Sequence, residues 1–226
     1  MSYKKIFCVL LLGSMMCCTS SRQAPHVVFV TGDDEYRSEI TMPMIADILQ
    51  QRHGFTCTVL YATDPASGER NPKFQQNIDG LDALADADLA VFFIRFRALP
   101  DDQLNTILDY VNSGRPVVGL RTSTHSFRYT EGPNAKWNDA FGIEVFGQKW
   151  ITHHGHTSST DVTLIPEMAD HPILRGITTP FHCASWLYHV TPLVGDCEPL
   201  LVGLSINSEK KPEELEQYPL TQPVAW

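Results

Sequence analysis

Pro116-Val117-Val118-Gly119-Leu120-Arg121-Thr122-Ser123-Thr124-His125-Ser126-Phe127 is an apolar run that ends in Gly-Leu-Arg and then presents five hydrogen-bonding side chains in succession. It follows Ser113-Gly114 and Pro116, which stop a helix, so it reads as a buried parallel strand delivering polar groups to its carboxyl end. In open α/β sheets ligands bind at that end, because the loops leaving neighbouring strands part there and leave a crevice. One stretch therefore predicts both a fold and a site. No cysteine and no Gly-x-Ser-x-Gly stands at the turn, so thiol chemistry is not expected.

Working back towards the amino terminus, the same rhythm repeats. His26-Val27-Val28-Phe29-Val30-Thr31-Gly32 is a short β-branched and aromatic run ending at glycine, followed by the polar loop Asp33 to Glu39. A helix is expected next, with Thr41 near its start, Pro43 in its first turn, Ile45, Ile48 and Leu49 on one face, and His53-Gly54 as its end. Phe55 to Tyr61 alternates as a half-buried strand. Asp64 to Asn77 is an exposed excursion, Leu81 to Ala85 a short helix, and Asp88 to Ile94 a fully apolar third strand. Pro100-Asp101-Asp102 opens a helix carrying Leu104, Ile107, Leu108 and Val111. Strand and helix in alternation define an α/β fold with a parallel sheet.

Beyond Phe127 the pattern changes to turn formers and aromatics, expected as loops with one short helix. Asp161–Ile165, Trp186–Val190 and Leu200–Leu204 read as further strands, and Pro223-Val224-Ala225-Trp226 as a strand-like start. At 226 residues the chain suits one substantial domain over 26–226. Lys4 and Lys5 precede a seven-residue apolar run, Ile6 to Leu12, too short to span a bilayer. Residues 1–18 are thus expected to be an export signal of lipoprotein type, with Cys18 or Cys17 lipidated, and 19–25 a polar linker. The cell envelope, reached through a lipid anchor, is the expected location. The net charge of −9 becomes −11 once Lys4 and Lys5 are lost with the leader, which argues against a nucleic-acid partner. Cys57, Cys183 and Cys197 remain; Cys183 and Cys197 could pair, while three buried free thiols are the simpler expectation.

Parallel strands share one carboxyl rim, so topology gathers Asp33, Asp34, Glu35 and Glu39, then Arg95 and Arg97, then Arg121 to His125. The arginines could clamp an anion or a hydroxyl, or else pair with the acids of the first loop. His125 could transfer protons from a rigid support, or cap the next helix. Glu39 could be a carboxylate base, or a charge favoured at a helix amino terminus. Trp150-Ile151-Thr152-His153-His154-Gly155-His156 adds three histidines. On an extended strand His154 and His156 would share a face and could bind a divalent metal such as zinc, while His153 faces away; a polar loop of hydrogen-bonding rings is the plainer reading. Trp137, Trp150, Trp186 and Tyr188 could stack on sugar rings or fill core.

Taken together, Gly32 to Glu39, Arg95 to Pro100, Gly119 to Phe127, Trp150 to His156, His171 to Ile177 and Ser185-Trp186-Leu187-Tyr188 resemble the trehalose-utilisation, or ThuA-like, family, in order from about His26 to Trp226. The resemblance implies a flavodoxin-like three-layer sandwich with a mostly parallel central sheet, within the class I glutamine amidotransferase-like superfamily, and a role in sugar catabolism. Where the amidotransferases place a nucleophilic cysteine, this chain has Arg121 or Thr122, so glutaminase activity is not expected. The family usually continues past the position of Trp226, so an unpaired sheet edge and an incomplete core are expected there. The resulting expectation is an enzyme acting on a small-molecule carbohydrate by proton transfer, with His125, Glu39 and His154 catalytic. Asp33, Glu35, Arg95, Arg97, Arg121, Thr122, Trp150, His153, Trp186 and Tyr188 would bind substrate. A carbohydrate-binding surface lipoprotein without catalysis is the alternative.

Overall fold

Side chains alternate along each strand, and in this chain that period builds two apolar layers from one sheet. β1 (His26–Gly32) pairs in parallel with β2 (Thr56–Leu60) on one side and β3 (Leu89–Ile94) on the other, and β4 (Val117–Gly119) lies beyond β3. The order is β2-β1-β3-β4, all parallel. Val28, Val30, Ala90, Phe92 and Ile94 face one side, against Leu104 and Ile107 of α2 (Asp101–Asn112) and Phe141 of α3 (Trp137–Phe146). Val27, Phe29, Val91 and Phe93 face the other, against Met42 and Ala46 of α1 (Ser38–His53). The α/β class and the parallel sheet are borne out. This computed structural model describes residues 24–226. The expected leader over 1–18, with Cys17 and Cys18, and most of the expected linker lie outside the described residues.

Two local expectations change. α1 begins at Ser38 rather than near Thr41, which puts Pro43 inside the helix instead of in its first turn. The earlier start has a cause. The Ser38 hydroxyl accepts the N–H groups of Gly32 and Asp33, at 3.2 and 3.0 Å, and ties the helix directly to the end of β1. Gly54 ends it in the left-handed region, φ 71°, with its N–H on the Leu49 carbonyl, as a helix-stopping glycine should. The other change concerns β4, expected to be buried. It is a three-residue edge strand on which Val118 is 41% exposed, because α1 covers β1, β2 and β3 but leaves this strand open. On the opposite face Val117 is partly buried, and Gly119, though exposed, has Phe146 close by. A methyl group on Gly119 would sit 2.4 Å from a ring carbon of Phe146, so glycine here lets α3 lie flat on the sheet.

The remaining strands do not extend the parallel sheet. β5 (Thr152–His153) and β8 (Tyr188–His189) form an antiparallel ribbon. β6 (Ser159–Leu164), β7 (Phe181–Cys183), β9 (Leu201–Ile206) and β10 (Thr221–Ala225) form a separate antiparallel sheet in the order β10-β9-β6-β7. The strand expected over Trp186–Val190 shrinks to the two residues of β8. The apolar start at Pro223 belongs to β10, which pairs with β9, and Trp226 donates its indole N–H to the Phe146 carbonyl at 2.6 Å. Between ribbon and antiparallel sheet runs a polar seam of His154, His189, Ser205 and Gln222, all buried. The Gln222 carboxamide oxygen accepts from Val190 N and Thr191 Oγ1 across it, at 3.0 and 2.9 Å. The three cysteines are free thiols, with no Cys183–Cys197 disulfide. They are not buried as expected: Cys183 is exposed and the other two are partly covered. No helix among the described residues is long and apolar enough to cross a membrane.

Gly119→Ala should lower stability by about 1–3 kcal/mol through overpacking. Adding Phe146→Leu should recover part of that loss, so urea denaturation of the two single variants and the double variant will show a non-additive pair.

Candidate functional site

The strand order reverses between β1 and β3, and the loops leaving β1, β3 and β4 meet at their carboxyl ends. Each loop holds a non-glycine residue in the left-handed region: Arg37 at φ 58°, Phe96 at 51° and Arg121 at 48°. Such residues are uncommon and persist only where their surroundings over-determine them, as they do at sites that must hold a side chain in one direction. Asp33 supplies much of that determination. It is fully buried, one carboxylate oxygen accepting the backbone N–H groups of Glu35, at 2.8 Å, and Tyr36, and the other accepting the Thr122 hydroxyl at 2.5 Å. Asp33 and Thr122, both expected to bind substrate, are therefore spent on binding the first loop to the third.

The three arginines separate. Arg95 ion-pairs with Asp34 through Nη1 and with Glu35 through Nε, each at 3.0 Å, the second contact lacking hydrogen-bond alignment. Arg97 is fully buried and donates to the carbonyls of Arg95 and Phe74 at 2.8 and 3.1 Å. Burial pushes its pKa down to about 10, opposed by the nearby Asp34 and Asp33. It is a structural clamp. Arg121, like Arg97, has no ion-pair partner among the described residues, but it is only partly buried. Its guanidinium lies 3.9 Å from the centre of the Tyr188 ring and 4.8 Å from that of Tyr36, and donates to Tyr36 Oη at 3.1 Å and the Trp186 carbonyl at 3.0 Å. Cation–π attraction and these two bonds hold it, while Nε stays buried with no acceptor.

His125 lies beside this aromatic box. Its ring centre is 5.1 Å from Phe96, 5.2 Å from Trp150 and 5.9 Å from Tyr188, and it is 8% exposed. Burial, reinforced by the charges of Arg95 and Arg121, pushes its pKa down to about 3, so the imidazole is neutral at neutral pH. The Trp150 indole N–H is buried without an acceptor, and Glu39 at the start of α1 has one carboxylate oxygen buried without a donor. Burial raises the Tyr188 phenol well above its usual range, keeping it protonated; its hydroxyl faces that of Tyr36 at 3.3 Å.

The histidine cluster reverses the expected faces. His153 and His156 come together, ring centres 4.5 Å apart and both against Trp186, while His154 turns away into the seam, where Nδ1 meets Ser208 Oγ at 2.9 Å. Gly155 explains the reversal. At φ 103° the chain turns instead of continuing as a strand, and a side chain there would collide with Glu209. His154 is thus neither at the rim nor paired with His156. Among the described residues no group of three or more His, Cys, Asp or Glu side chains gathers as metal ligands. Sequence reasoning missed Tyr36 and Phe96, which line the site from loops chosen for their charges. Their only signal was position, directly after the first and third strands.

No protein-family model, no curated protein and no solved structure matches this chain.

His125, His153, His154 and His189 all have pKa values pushed down from the ordinary 6.5, burial being the largest cause for each. The unfolded chain therefore binds more protons than the folded one below about pH 6.5. Stability should fall as pH drops from 7 towards 4, by up to about 1.4 kcal/mol per pH unit for each such imidazole. Urea midpoints across that range will show the slope, and His125→Phe should make it shallower.

Proposed function

We propose that this chain is a ThuA-like protein on a flavodoxin-like three-layer sandwich, exported to the cell envelope, whose rim binds a carbohydrate and moves a proton beside a carbonyl. The observation that carries the reading is the pairing of a neutral His125 with an uncompensated Arg121 inside a box of Tyr36, Phe96, Trp150, Trp186 and Tyr188. Aromatic faces suit the apolar faces of sugar rings. A neutral imidazole can take a proton, and a fixed guanidinium can hold the oxyanion that forms when a proton leaves the carbon next to a carbonyl. Glu39, with one oxygen unpartnered, is a second proton acceptor and a partner for ligand hydroxyls. His154 has no part, because it faces the seam.

One observation favours the second reading, carbohydrate binding without catalysis. In the free protein the burial of His125, with the fields of Arg95 and Arg121 added, makes that imidazole a weak base. Turnover separates the two readings. Oxidised and unoxidised disaccharides incubated with the full chain should give a product seen by mass spectrometry, and His125→Gln should lower its rate at least about 100-fold with the melting temperature kept. Binding without product would favour the second reading, and neither binding nor product would remove both.

A further inference from the structure

We propose that the open edge of β4 pairs with the same edge of a second copy of this chain, antiparallel about a twofold axis at Val118, so that two four-stranded parallel sheets join into one layer. The inference is independent of the carbohydrate reading.

The register of the sheet decides which backbone groups of β4 are free. The Pro116 carbonyl accepts the Ala90 N–H at 3.2 Å, and the Leu120 N–H reaches the Phe92 carbonyl at 2.9 Å. Backbone groups alternate sides along a strand, so Pro116, Val118 and Leu120 turn theirs towards β3. Val117 and Gly119 turn theirs outward. Among the described residues no strand lies beyond β4, and the apolar run at Pro223 pairs with β9 instead. Val118 and Gly119 are both exposed.

Monomeric proteins guard such an edge with a charge, a bulge or a proline. β4 has none of these facing outward. Pro116, which lacks an N–H, stands at an inward position where only its carbonyl is used. The flanking arginines are engaged elsewhere, Arg115 on the carbonyls of Leu84, Ala85 and Ala87, and Arg121 on Tyr36 and Trp186.

A second copy is the occupant that the spacing fits. In an antiparallel pair, two residues directly opposite exchange both hydrogen bonds, while the next pair along exchanges none and brings its side chains closer together. With the axis at Val118, Val117 of each copy lies opposite Gly119 of the other, and every outward N–H and C=O of both residues finds a partner. Any other register leaves some of them unpaired. Val118 then meets its own counterpart at the close pair, where β-branched side chains cover one another. The two rims lie at the carboxyl ends of antiparallel strands, so they open at opposite ends of the joined sheet and both stay accessible.

The test is sedimentation velocity of the full chain from about 1 to 300 µM, where so small a contact predicts a dissociation constant on the order of 10–100 µM. Val118→Lys and Val118→Glu should each weaken association at least about tenfold, because like charges would meet on the axis. An equimolar mixture of the two should form dimers again, since Lys then faces Glu. Val117→Pro removes one outward N–H and should also weaken association about tenfold. Unchanged circular-dichroism melts at low concentration will show that the variant monomers are folded. A monomer at every concentration would overturn the inference. So would a dimer indifferent to all three substitutions, or a mixture that associates no better than either Val118 variant alone.

Discussion

A single buried carboxylate, that of Asp33, fixes the relation between the first and third loops of the rim. One of its oxygens closes the turn that lifts Tyr36 into the site, and the other takes the Thr122 hydroxyl beside the left-handed Arg121. A carboxylate fully withdrawn from water survives only when several donors meet it, and here backbone and hydroxyl donors do so. Ser38 adds a second tie, joining the start of α1 to the same turn. Tyr36 and Arg121 then meet across the gap between two strands that are not neighbours in the sheet. The side chains that line the rim are held by one buried beneath it.

This division of labour shows what the sequence made legible and what it did not. The parallel strands were readable because Val27 to Val30 and Leu89 to Ile94 are apolar on both faces and are followed by breakers, a local pattern that needs no knowledge of partners. The separate antiparallel sheet was not, since its strands were recognisable singly but their pairing is set over long separations, β6 with β9 and β9 with β10. Within the site, charge was a poor guide. Asp33, Arg97 and Thr122 drew attention as polar groups after strands, yet their burial assigns them to scaffolding, while Tyr36 and Phe96 line the site without having been singled out. The histidines failed for a backbone reason. A strand period predicts His154 with His156, and the turn at Gly155 brings His153 to His156 instead.

The rim also illustrates how surroundings set the protonation of one group. Burial first, and then the charges of Arg95 and Arg121, hold His125 neutral, and all three are fixed features of the loops. No ion pair of the described residues involves this imidazole, which lies instead among aromatic rings. The arrangement differs from an acid–base pair in which a neighbouring carboxylate raises the proton affinity in advance.

The seam of His154, His189, Ser205 and Gln222 has a consequence for how the molecule comes apart. Strands β1 and β3 are covered on both faces by hydrocarbon, whereas the ribbon that supplies Tyr188 to the rim meets the antiparallel sheet through the packing of Leu187 on Gly203 and through a seam in which His154 Nε2, His189 Nδ1, Ser205 Oγ and Gln222 Nε2 have no hydrogen-bond partner. Buried polar groups left unpaired cost free energy, which weakens that join relative to an all-apolar one. The ribbon is therefore the natural line of first opening, a sub-global unit that can loosen while the four parallel strands stay intact. The half of the rim built on the ribbon would come apart before the half built on the parallel sheet, so that the environment of Tyr188 reports the integrity of the second sheet while the core reports only its own.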